Sequence, residues 1–113
     1  MKRALFLLAA LFIVCTSMAP GHECITKDGF CKGIRLAGKV RIVDVGEDFK
    51  VRVVDVGEDL IVRRDDFATS KSKIGRWRFV DIGGDFKIRI VDVGEDFKIR
   101  YDDIRCGVRH PCR

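Results

Sequence analysis

The chain is poor in residues that do chemistry at neutral pH. It carries two histidines, His22 and His110, one near each end of the folded portion that the pattern marks out. Apart from Ser17 its serines are Ser70 and Ser72, both in a polar linker. Acid–base or covalent catalysis needs a base within hydrogen-bond reach of the group it activates. No such pairing is in view, so the protein is expected not to be an enzyme. The adjacent acids Asp65-Asp66 and Asp102-Asp103 do not change this, because neighbours on an extended chain point to opposite sides. A compact Cys/His ligand motif is also missing. No metal and no other cofactor is expected, and zinc on His22, His110 and nearby cysteines is the weaker alternative. The longest apolar run, Ala4 to Val14, falls short of the roughly 20 residues that span a bilayer.

That run instead has a leader's layout. Lys2 and Arg3 precede it, and the small residues Ser17, Ala19 and Gly21 follow. This is the pattern of a secretory signal over residues 1–21 and predicts a secreted or periplasmic protein. A cut after Gly21 is preferred, since a cut after Ala19 would leave Pro20 beside it. Bulky Val14 disfavours a lipid anchor on Cys15, and the short run disfavours an uncleaved anchor. Removing the leader lowers the net charge from +5 to +3, too little to mark a nucleic-acid protein.

The remaining cysteines, Cys24, Cys31, Cys106 and Cys112, are even in number, and an exported chain then predicts two disulfides. Asp28-Gly29 has the form of a hairpin tip that sets Thr26 opposite Cys31. Cys24 is then diagonal to Cys31 at about 7–8 Å, wider than a disulfide accepts. The preferred pairing is therefore Cys24–Cys112 with Cys31–Cys106, among three possible connectivities.

The dominant feature is an eleven-residue repeat. Residues 40–50 read VRIVDVGEDFK, 51–61 read VRVVDVGEDLI, and a truncated row from Val62 reads VRRDDF. After a break, 77–87 read WRFVDIGGDFK, 88–98 read IRIVDVGEDFK, and a truncated row from Ile99 reads IRYDDI. Two triplets, 40–67 and 77–104, are thus joined by a Ser/Lys/Gly-rich loop at 68–76 and form a repeat domain over 40–105. Residues 22–39 precede it as a cysteine-containing hairpin, and 106–113 follow as a cysteine-containing tail.

With the places in a row numbered one to eleven, the helix reading fails. Apolar places 1, 3, 4, 6 and 10 spread around a helical wheel, most of them are β-branched, and every full row holds a glycine at place 7. As strands, places 10, 1 and 3 fall on one face and places 4 and 6 on the other. The expectation is an all-β domain, a two-layer sandwich or compact barrel, with apolar surface on both sides of each strand. A hairpin centred on place 8 would set apolar place 6 against apolar place 10, as in Val45–Phe49. It would also set Asp44, Asp81 and Asp92 against Lys50, Lys87 and Lys98.

The stretch Gly75-Arg76-Trp77-Arg78-Phe79-Val80-Asp81 between strand repeats resembles a family of short bacterial β-repeat proteins with a Gly-x-Trp-x-aromatic-Val-Asp core. The resemblance covers roughly residues 40–104. It implies an unusual, knotted β winding and carries no assigned activity.

Place 2 is arginine in all six rows: Arg41, Arg52, Arg63, Arg78, Arg89 and Arg100. With the lysines at place 11 they are the candidate ligand-binding residues for an anionic polymer of the cell envelope. Acidic clusters such as Asp44–Asp48 match no calcium-loop spacing, and turn propensity accounts for them. The function expected is a structural or interaction module whose partner the sequence leaves open between another protein and an anionic envelope polymer, with anionic-polymer binding as the alternative function.

Overall fold

In a computed structural model of the chain, residues 25–111 are described. The expected leader and cleavage site, His22, Cys24 and Cys112 lie outside them. Nine strands form: β1 (Phe30–Cys31), β2 (Ile34–Arg35), β3 (Gly38–Ile42), β4 (Phe49–Val53), β5 (Leu60–Arg64), β6 (Arg76–Val80), β7 (Phe86–Ile90), β8 (Phe97–Tyr101) and β9 (Gly107–Val108). The described residues contain no helix, and so none long and apolar enough to cross a membrane.

Six strands close into a barrel in the order β6-β3-β7-β4-β8-β5, with β5 returning to β6. Every pairing in the ring is parallel. The first triplet supplies β3, β4 and β5, and the second supplies β6, β7 and β8. The chain therefore goes round twice, and its second circuit fills the gaps left by the first.

Parallel neighbours normally need a crossover of a dozen residues or more. Here the six residues 43–48 suffice, because the strands are strongly offset. Ile88 of β7 lies beside Ile42 on one side and beside Phe49 on the other. The chain has only to step across one strand, about 10 Å, to go from β3 to β4. The same step recurs from Val53 to Leu60 across Ile99, and from Ile90 to Phe97 across Val51. It also carries Val80 to Lys87 across Arg41.

The hairpin reading of the repeat is thereby corrected. Place 6 does not face place 10, and Asp44, Asp81 and Asp92 do not face Lys50, Lys87 and Lys98. Place 6 of every row is 79–88% exposed: Val45, Val56, Phe67, Ile82, Val93 and Ile104. Only one strand face is buried. Places 10 and 1 turn inward, giving the fully enclosed Phe49, Val51, Leu60, Val62, Phe86, Ile88, Phe97 and Ile99. Their rings meet edge-on, with Phe49 centred 5.7 Å from Phe86 and 5.4 Å from Phe97.

At the end where the strands begin, the N-terminal segment plugs the barrel. Ile25, Cys31 and Leu36 are buried there, and Trp77 Nε1–H donates to the Leu36 carbonyl at 3.0 Å. The hairpin tip is Lys32-Gly33, both at positive φ (52° and 78°), as a two-residue primed turn requires. The expected tip at Asp28-Gly29 is instead a tight turn in which Gly29 N–H donates to Thr26 O. No disulfide joins Cys31 to Cys106.

Candidate anion-binding face

The outward face of the barrel wall carries places 11 and 2, which are nearly all cationic. The register sets cation directly against cation: Arg41 beside Lys87, Arg89 beside Lys50, Arg52 beside Lys98, Arg63 beside Arg76, and Arg78 beside Lys39. Like charges opposed across strands are destabilising, so what neutralises them decides where charge stays available.

The connections do that work. Each passes over the outer side of the strand it crosses, and its acids have separate tasks. The place 9 aspartate clamps the crossed strand through both its backbone and its side chain. Asp48 N–H donates to Lys87 O while Asp48 Oδ2 accepts from Lys87 N–H, at 2.9 and 2.8 Å. Asp59 holds Lys98, Asp85 holds Lys39 and Asp96 holds Lys50 in the same way. The place 8 glutamate lies over the place 2 arginine of the crossed strand. Arg89 Nε is 3.3 Å from Glu47, Arg52 Nη1 is 3.8 Å from Glu95, and Arg100 Nε is 3.3 Å from Glu58. Glu58 also meets Arg109 at 3.3 Å. Its own backbone N–H, then Arg100 and Arg109, hold its carboxyl below the usual carboxylate range despite burial. Glycine precedes this acid pair because place 7 takes a left-handed backbone (φ 73–79°) in all four connections.

Three of the six predicted arginines therefore have an acid partner, and three do not. Arg63 and Arg78 sit on β5 and β6, which no such connection crosses. Arg41 is crossed, but Gly84 stands where the other rows have glutamate. None of Arg41, Arg63 and Arg78 forms an ion pair among the described residues. The six do not converge on one point. They ring the wall, and its β5–β6–β3 sector keeps its charge.

Within that sector the tail builds a cleft that sequence reasoning missed. Strand β9 pairs antiparallel with the first half of β5, leaving the second half to β6. A Cβ at Gly75 would run into the Ile61 carbonyl oxygen and Gly107 N, so the tail can lie this close only over glycine. The resulting cleft, about 370 Å³, is lined by Arg63, Lys73, Arg76, Arg105 and Arg109, with Ile61, Ile104, Val108 and Cys106 between them. It contains no acidic lining residue. Arg76 Nη1 reaches Asp65 at 3.6 Å, while its buried Nε–H has no acceptor among the described residues. An oxyanion would supply one.

Asp102 fixes the turn into this tail. Its Oδ1 accepts from Arg105 N–H at 2.9 Å and Ile104 N–H at 2.7 Å, and Arg100 Nη1 is 3.1 Å from its Oδ2. Those two backbone donors, followed by Arg100, lower its pKa from 3.8 to about 2. No cluster suited to a metal ion occurs among the described residues.

No curated protein matches the chain. The family model of the 7(1) septoil knot domain matches residues 33–109, a span that takes in the whole barrel and β9. A barrel wound twice, with each circuit stepping over strands of the other, is in keeping with that description, and the chain belongs to the septoil knot domain family.

Proposed function

We propose that this domain is a non-catalytic, exported binding module that holds an anionic polymer against its β5–β6–β3 wall. One observation carries the reading. On three adjacent strands Arg63, Arg78 and Arg41 lack the carboxylate that neutralises their counterparts, and the cleft beside them is lined by five cations, of which Arg63 and Lys73 form no ion pair among the described residues while Arg76, Arg105 and Arg109 reach Asp65, Asp102 and Glu58. Charged groups left without partners on a folded surface remain available to an external anion, and their attraction is screened by salt. Planar guanidinium groups suit sulfate, phosphate or carboxylate groups, because each can donate two parallel hydrogen bonds.

Retention on heparin resin tests this. The protein is expected to bind at low salt and elute as salt rises. Each arginine that contacts the polymer should contribute roughly 0.7–0.9 to the slope of log affinity against log salt. Arg63→Ala with Arg78→Ala should bring elution to lower salt, whereas Arg52→Ala with Arg89→Ala should change it little. Failure to bind at low salt would refute the proposal.

A further inference from the structure

The open end of the barrel has a surface that neither the core nor the cationic wall explains. Each strand's place 1 lies beside place 10 of the next strand round the ring, as in Val40 with Phe86, Ile88 with Phe49, and Trp77 with Gly38. Repetition of one offset makes the six rows equivalent by rotation about the barrel axis. Each place therefore forms a ring. The ring at place 6, just beyond the C-terminal ends of the strands, is Val45, Val56, Phe67, Ile82, Val93 and Ile104, each at least 79% exposed. Its members differ in size and branching, yet all are apolar, although no described residue covers them. Ile42, Val53 and Ile90, from the adjoining strands β3, β4 and β7, add exposed apolar surface at the same end. At the opposite end the N-terminal hairpin covers the barrel.

The neighbouring ring at place 5 supplies the charge. Asp44, Asp55, Asp66, Asp81, Asp92 and Asp103 are all exposed. None makes an ion pair or a side-chain hydrogen bond among the described residues. They do not clamp strands, as the place 9 aspartates do, and they do not cover arginines, as the place 8 glutamates do. Bare apolar side chains alternate with unpaired carboxylates in every row.

We infer that this rim is a docking surface for a partner protein segment that is both apolar and cationic, such as an amphipathic helix with lysine or arginine flanking its apolar stripe. Exposed apolar groups ringed by polar ones mark interaction sites, and charge complementarity selects the partner. The six carboxylates decide among occupants. A second copy docked rim to rim would bring twelve like charges together, and an anionic membrane would meet the same repulsion. A basic amphipathic segment gains from both rings.

The test uses the full chain and two labelled model peptides, one with leucine on one helical face and lysine on the other, and one with glutamate in place of lysine. Fluorescence anisotropy should show the Leu/Lys peptide binding at least tenfold more tightly than the Leu/Glu peptide. Val56→Ser with Val93→Ser should weaken that binding by about tenfold, as expected when two anchor side chains are lost. Asp55→Asn with Asp92→Asn should weaken it and flatten its salt dependence. Arg63→Ala with Arg78→Ala on the wall should leave it unchanged, so failure of the polymer reading and failure of this one are separable. Thermal melts that match the parent would show that the rim variants still fold, as their exposure predicts. Equal binding of the two peptides would overturn the inference, as would indifference to the rim variants. So would rim-dependent self-association in sedimentation, or rim-dependent adsorption to neutral phosphatidylcholine vesicles.

Discussion

Two halves of one barrel wall carry nearly the same repeat and end in different electrostatic states. Across β7, β4 and β8 each place 2 arginine has a glutamate from a connection lying over it, as Arg89 has Glu47. Across β5, β6 and β3 the repeat runs out at a truncated row, or glycine replaces the acid, and the arginines stay bare. The difference arises from winding at β5 and β6, which no connection between full rows crosses, and from one replacement at β3, which is crossed but meets Gly84 in place of glutamate.

The largest effect should come from the interior that both halves share. Trp77→Ala removes a fully enclosed ring and one of the two donors to the Leu36 carbonyl, leaving Gly75 N–H as the other. It should cost about 3–5 kcal/mol, and so abolish the comparison by unfolding the barrel, as a denaturant titration would show.

A smaller effect separates the halves. Asp96→Ala strips the clamp from Lys50 N–H on the crossed side and should cost about 1–3 kcal/mol in denaturant midpoint. Asp103→Ala, at exposed place 5 of the last row, should stay within about 0.5 kcal/mol. Equal losses would mean that the two acid places are not distinct in role.

The smallest effect concerns the uncrossed side and acid. Because the Asp102 pKa falls from 3.8 to about 2 on folding, its contribution is complete above pH 4 and is lost as pH falls towards 2. Asp102→Asn should lower the melting temperature at neutral pH and reduce the parent's loss of stability over that interval. An unchanged acid arm in thermal melts would show that this carboxylate does not hold the tail.

The sequence carried the rows, the all-β class and the inward face at places 10 and 1, because strand alternation shows directly in Phe49, Val51 and their equivalents. It misled at place 3, where Ile42, Val53 and Ile90 are exposed rather than inward with places 10 and 1, and at place 6. Val45 opposite Phe49 satisfies a local hairpin as well as any real pair would. The true neighbours of Val40 are Phe79 and Phe86, 39 and 46 positions away, and no local pattern reports partners at those distances. The glycine that opens each turn was the visible sign that an ordinary hairpin did not fit. The six place 2 arginines were legible as a set. Their division into covered and bare was not, since it depends on which strand each connection crosses. Only Gly84 in place of glutamate showed part of that division in the sequence itself. The tail cleft left no sequence signal beyond its scattered basic residues, because it exists only where β9 meets β5.

Charge available for binding lies on the β5–β6–β3 side, where no glutamate covers the place 2 arginines. Amide chemical-shift mapping with a short sulfated oligosaccharide tests this most directly. The account predicts perturbations concentrated at residues 39–41, 63–64, 73–78 and 104–109, with β4 and β8 quiet around Arg52 and Arg100. Shifts spread evenly round the barrel, or centred on the glutamate-covered arginines, would contradict it.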